Sequence, residues 1–141
     1  METKSLYIHI PFCTSKCTYC DFYSIPVGKK FAECNKTYKF FKDYLSALKN
    51  EIYYRFSQFD IQLLKTIYIG GGTPSLFPTD FIEELLDFIK QNVQIDSSIE
   101  ITMEANPQDI SKDFLYEIKC AGVNRLSVGI QCYNDSVLKT L

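Results

Sequence analysis

Four short apolar runs, alternating with three segments of helical spacing, constrain the fold of this chain more tightly than any other feature. Residues 6–10, 66–69, 99–104 and 125–131 are rich in β-branched and aromatic residues, and proline, glycine or polar residues follow each run. Between the first two, residues 38–56 put Phe41, Tyr44, Leu45, Leu48 and Ile52 on one helical stripe and leave Lys42, Lys49 and Arg55 to water. After the second run, Thr79 or Asp80 can cap a helix whose apolar face is Phe81, Ile82, Leu85, Leu86 and Ile89, with acids early and Lys90 late, as the helix dipole favours. Residues 111–120 read as a third helix closed by Gly122, and Asn134 or Asp135 can cap a fourth that reaches the last residue. Such alternation pairs strands in parallel through right-handed crossovers, so the expected class is α/β with a parallel sheet. Four parallel strands with the fourth helix barely begun leave an edge that natural sheets cover. Residues 1–141 are therefore expected to be the N-terminal part of a partial (β/α) barrel, about four strands and three helices with no internal boundary. The rest of the barrel and a C-terminal domain are expected to lie outside the sequence.

Residues with chemistry to offer fall at the C-terminal ends of all four runs, the place where βα barrels build their active sites. The first run is followed by Cys13-x-x-x-Cys17-x-x-Cys20. Three thiolates on one loop can hold three irons of a [4Fe–4S] cluster and leave the fourth iron open to a ligand, whereas a purely electron-transferring cluster takes four cysteines. Structural zinc is the alternative, and it needs a further protein donor such as His9, Cys34 or a distant cysteine. A disulfide framework fits less well, because the residues after Met1 open on a strand and not on the apolar stretch of a signal peptide. Cys34, Cys120 and Cys132 have no partner at ligand spacing and read as incidental thiols.

The second run leads into Gly70-Gly71-Gly72-Thr73-Pro74, which lacks the Lys-Ser/Thr of a phosphate-binding loop and the spacing of a dinucleotide fingerprint. Its glycines let backbone approach a ligand closely, or else make a simple tight turn. In the third run Ile99, Ile101 and Met103 share one face, so Glu100, Thr102 and Glu104 share the other. If that face points into a barrel, Glu104 needs a partner such as a ligand ammonium or a ribose hydroxyl; otherwise it is a solvated strand-end acid. Gln131, taken to end the fourth strand, can donate and accept at once. Tyr7 shares a face with His9 and lies near enough to the cysteine loop to line a site. His9, the one histidine, reads as a satisfied core residue, and Arg125 as a structural or surface charge.

A formal net charge of −2 and the absence of a basic run argue against a nucleic-acid partner or an anchor on an anionic membrane. No apolar run approaches the roughly 20 residues of a membrane span. The expected setting is the cytoplasm.

Four segments in order carry a family likeness: Leu-Tyr-Ile-His-Ile-Pro-Phe-Cys with Lys-Cys-Thr-Tyr-Cys-Asp-Phe at residues 6–22, Ile-Tyr-Ile-Gly-Gly-Gly-Thr-Pro-Ser at 67–75, Glu-Ile-Thr-Met-Glu-Ala-Asn-Pro at 100–107, and Gly-Val-Asn-Arg-Leu-Ser-Val-Gly-Ile-Gln at 122–131. Together they resemble the oxygen-independent coproporphyrinogen III oxidase family of radical S-adenosylmethionine (SAM) enzymes, and within it the heme-chaperone branch. The resemblance implies that Cys13, Cys17 and Cys20 bind the cluster and that Tyr7, Gly71, Gly72, Thr73, Glu104 and Gln131 contact SAM. It also implies that an electron from the cluster cleaves bound SAM to a 5′-deoxyadenosyl radical. The oxidases of the family continue the cysteine loop with Gly-Cys, whereas this chain has Asp21-Phe22, as the chaperone branch does. The implied function is a chaperone that binds a [4Fe–4S] cluster, SAM and heme and passes heme to an acceptor protein, with a separate reductant for the cluster. The alternative is an oxidase that decarboxylates two propionates of coproporphyrinogen III.

Overall fold

A computed structural model describes residues 3–28 and 35–140 of the chain. In chain order the elements are β1 (Thr3–Ile10), β2 (Phe12–Cys13), β3 (Ile25–Pro26), α1 (Asn35–Gln58), β4 (Leu63–Gly71), α2 (Thr79–Asn92), β5 (Gln94–Ala105), α3 (Lys112–Ala121), β6 (Arg125–Val128) and α4 (Asp135–Leu138). Single 3₁₀ turns at Pro74–Leu76 and Pro107–Asp109 follow β4 and β5. Four strands form one parallel sheet in the order β1-β4-β5-β6, the α/β arrangement expected from the alternation of patterns.

Period-two alternation divides that sheet into two faces. Ile8, Ile10, Ile67, Ile69, Ile101 and Met103 are buried in the core together with the inner stripes of the helices, among them Phe41, Leu45 and Ile52 of α1, Leu85, Leu86 and Ile89 of α2, and Phe114 and Ile118 of α3. The other face carries Tyr7, His9, Tyr68, Thr102, Glu104 and Arg125. Register aligns Tyr7 with Tyr68, Tyr68 with Thr102, and Thr102 with Arg125, so one row of polar and aromatic side chains crosses all four strands.

The strands run longer than the sequence pattern indicates, and the reason is local. Pairing shifts at Lys65 in β4, and between Ile95 and Glu100 in β5, where Asp96 accepts hydrogen bonds from the backbone N–H and the hydroxyl of Ser98. Alternation is broken at both places, so the regular pattern starts only at Thr66 and Ile99. β6 is the opposite case. It ends at Val128, and Gln131 does not end the strand as expected: Ile130 N–H folds back onto Val128 O, and Gln131 has φ of 63°, a left-handed conformation that no strand continues through.

Helix ends correct one expectation, the cap of α2, and fulfil two, Gly122 after α3 and Asn134 before α4. Pro78, not Thr79 or Asp80, occupies the cap of α2; Thr79 turns its hydroxyl to Glu117, and Asp80 accepts from Phe81 N–H inside the first turn. Ser111 caps α3 through Phe114 N–H, Gly122 closes it at φ 115°, and Asn134 caps α4 through Ser136 and Val137 N–H. Among the described residues no helix is long and apolar enough to cross a membrane.

An aromatic cluster fixes where the cysteine loop begins. Phe12, 1% exposed, meets Tyr44 at 4.9 Å and 80° and Phe41 at 5.3 Å, while Phe77 meets Phe41 at 5.3 Å and Phe81 at 5.6 Å. Edge-to-face contacts of this kind add about 0.5–1.5 kcal/mol per pair beyond burial. They tie α1, α2 and the turn after β4 to the residue immediately before Cys13.

Candidate functional site

The cysteine loop is closed at its base. Phe12-Cys13 pairs in parallel with Ile25-Pro26, Ile25 N–H donates to Pro11 O at 2.7 Å, and Val27 N–H donates to Cys13 O at 2.8 Å. Within the loop Cys20 N–H reaches Cys17 O, and the Lys16 ammonium donates to Phe22 O at 2.7 Å. Cys13, Cys17 and Cys20 are all free and partly exposed. Partial burial and contact with the Cys17 thiol push the Tyr19 hydroxyl above its usual pKa. Cys120 and Cys132 are free as well, while Cys34 lies outside the described residues.

The glycine turn packs directly on this loop. Gly72 N–H donates to Ile10 O at 2.8 Å and Thr73 N–H to Phe12 O at 2.7 Å. A Cβ on Gly72 would lie 2.7 Å from Phe12 O and 2.8 Å from Cys13 Sγ; one on Gly71, whose φ is 121°, would lie 2.8 Å from the His9 ring. Glycine is required at both positions by the protein's own close packing, which neither the ligand reading nor the turn reading of the sequence contained.

Beside the turn, Glu104 is held by both carboxylate oxygens. Tyr68 OH donates to Oε1 at 2.7 Å and Gly71 N–H to Oε2 at 3.1 Å. The hydrogen bond to Glu104, followed by burial, raises the Tyr68 pKa, and burial followed by the Glu104 charge raises that of Tyr7. The Tyr7 and Tyr68 rings stack at 6.1 Å, and Tyr7 keeps 56% of its surface exposed. His9 Nε2 lies 2.9 Å from Tyr23 O, which can only accept, so that nitrogen donates, and Nδ1 is hydrogen-bonded to Tyr7 OH at 2.9 Å. His9 is thus satisfied, as expected, but half-buried and beside the cysteine loop. Glu100, by contrast, sits four residues back along β5, paired with Arg125 at 3.3 Å.

Tyr7, Glu104, Gly71, Gly72 and Thr73 therefore gather with the cysteine loop at one end of the sheet, and Gln131 lies past β6 as an exposed residue. Tyr68 and Asn106 were missed in the sequence. Tyr68 could have been found, since alternation puts it on the face of Glu104; the contact of Asn106 with Thr73 depends on the 3₁₀ turn and left no pattern.

Three free thiols on a loop held to a glycine turn suit a [4Fe–4S] cluster, whose corners each take one thiolate. Among the described residues no three His, Cys, Asp or Glu side chains converge on one metal position, and a cube bound at three separate corners does not require them to. The residues present fit the cluster.

A sheet of parallel strands with a three-cysteine loop after the first is the framework of one class of iron–sulfur proteins, and comparison agrees: residues 7–141 match the Radical SAM superfamily. The chain belongs to that superfamily, and within it the chain is similar to heme chaperones and to a coproporphyrinogen oxidase. It is 39% identical over 137 residues to the heme chaperone HemW of Escherichia coli (97% of this chain, 34% of the relative) and 40% identical over 139 residues to HemW of Bacillus subtilis (98% and 34%). Among solved structures it is similar to the coproporphyrinogen III oxidase HemN of Escherichia coli, described as a radical SAM enzyme, with TM-score 0.80, 33% identity, and coverage of 96% of this chain and 29% of that one. The chain spans about a third of the length of the curated relatives it matches.

Proposed function

We propose that the chain is the N-terminal part of a radical SAM core in a heme chaperone, holding a [4Fe–4S] cluster on Cys13, Cys17 and Cys20 and binding SAM beside it. The observation that carries this reading is the cysteine loop itself: strapped to the glycine turn, three thiols long, and continued by Asp21-Phe22 where the oxidases carry Gly-Cys. When bound, the cluster supplies an open iron and one electron. The protein's part is to hold and orient. Glu104, fixed by Tyr68 and the Gly71 amide, offers a carboxylate to an ammonium or to ribose hydroxyls. Tyr7, exposed and stacked on the Tyr68 ring, lies near enough to feel its charge, and Gly71, Gly72, Thr73 and Gln131 complete the proposed SAM contacts. The relatives' names support heme as the cargo; an acceptor protein to receive it, a reductant to charge the cluster and the cytoplasm as the setting complete the proposal.

The test uses one anaerobic preparation of the full-length protein with SAM and a reductant. The expected result is heme binding with no conversion of coproporphyrinogen III to protoporphyrinogen IX. SAM-dependent decarboxylation well above that of a Cys17→Ala control would overturn the chaperone reading in favour of the oxidase.

A further inference from the structure

The hydroxyl of Thr73 has two polar neighbours within the chain, Cys13 and Asn106. Its residue is 6% exposed, so it cannot turn to water. The two backbone hydrogen bonds from Gly72 to Ile10 and from Thr73 to Phe12, with the missing Cβ at Gly72, bring the turn against Cys13. Thr73 Oγ1 then donates to Cys13 Sγ at 3.6 Å, a distance suited to the larger sulfur atom, while Asn106 Nδ2 donates to the same Oγ1 at 3.5 Å. With its acceptor side facing an amide donor, the hydroxyl has its one proton to offer, and a thiolate can only accept.

We propose that Thr73 is a positioning residue for Cys13, and that its hydrogen bond to the Cys13 thiolate raises the reduction potential of the cluster, with Asn106 orienting the hydroxyl. The inference rests on Cys13 being a cluster ligand, as proposed above. Hydrogen bonds to cluster sulfurs draw charge from the thiolate and so favour the more negative, reduced state. Losing the donor should make the cluster harder to reduce.

The experiment is an anaerobic redox titration of the reconstituted full-length protein, followed by the electron paramagnetic resonance (EPR) signal of the reduced cluster. Wild type, Thr73→Val, which keeps the branched shape, and Thr73→Ser, which keeps the hydroxyl, are compared with iron content measured for each. The expected result is iron retained in all three, a midpoint shifted to more negative potential in Thr73→Val, and a return towards wild type in Thr73→Ser. Iron lost from Thr73→Val and kept in Thr73→Ser also supports a role for the hydroxyl. Equal midpoints in wild type and Thr73→Val, or failure of Thr73→Ser to restore either iron or potential, overturns the proposal. A wild-type protein that takes up no iron overturns the cluster reading itself, a different outcome that iron analysis reports before any titration.

Discussion

At the scale of single residues, two acids on the same face of β5 have different environments. Glu104 has both oxygens fixed by donors at the cysteine-loop end of the sheet, whereas Glu100 lies four residues back in an exposed pair with Arg125, of a kind worth about 0–1 kcal/mol. Glu104→Ala is therefore expected to weaken the response of the cluster's EPR signal to SAM by about tenfold or more, on the scale of one charged hydrogen bond, and Glu100→Ala to leave it near wild type. Equal losses would place the ligand elsewhere. Tyr44 gives a prediction about stability. Burial, then the charge of Glu51, pushes its pKa up to about 12, and its hydroxyl donates to His9 O at 2.5 Å. Because the folded value lies above the ordinary value of about 10, the contribution is fully present below pH 10 and is lost as pH rises through 12. Denaturant titrations should show wild type losing on the order of 1 kcal/mol across that window, a figure reduced for partial exposure, and Tyr44→Phe losing less.

Among the elements, the glycine turn and the cysteine loop act as one unit. Gly72→Ala drives a Cβ into Phe12 O and Cys13 Sγ, and two of its three nearest obstacles are backbone atoms of β2 and the residue before it. Expected outcomes are a loss of about 1–3 kcal/mol in urea unfolding and a fall in bound iron. Gly28→Ala, at φ 76° with nothing within 4 Å, should cost about 1–2 kcal/mol and keep its iron. Strands and helices were legible in the sequence because burial imposes their periods: Ile8 and Ile10, Ile67 and Ile69, and Ile101 and Met103 all face the core as the pattern requires. Less legible was what arises between segments. The β2–β3 pair, the shift at Lys65, the Asp96 turn that delays regular pairing in β5 and the left-handed Gln131 depend on contacts or conformations with no periodic signature. The same holds for the site. Its cysteines and Glu104 were readable from spacing and strand position, whereas the reason for glycine at 71 and 72 emerges only when His9 and Cys13 are seen against them.

For the whole molecule, a parallel sheet buries its helix-facing side and gathers its chemistry at one end, and the Phe12–Phe41–Tyr44–Phe77 cluster makes the cysteine loop's base part of the core. Fold and cluster site are therefore coupled. Leu85→Ala, in the fully buried stripe of α2, should cost about 2–5 kcal/mol in denaturant unfolding without altering the iron content of the folded fraction, because Leu85 lies outside the aromatic cluster at the loop's base. The proposal that Cys13, Cys17 and Cys20 hold a cluster with one iron open to SAM underlies every other role assigned to the site. It is tested most directly by the EPR spectrum of the anaerobically reconstituted, reduced protein recorded with and without SAM. About four irons per chain, a [4Fe–4S] signal that SAM shifts, and loss of both on replacing any one of the three cysteines by alanine are expected. Stoichiometric zinc with no iron uptake, or a cluster signal that SAM leaves unchanged, would contradict it.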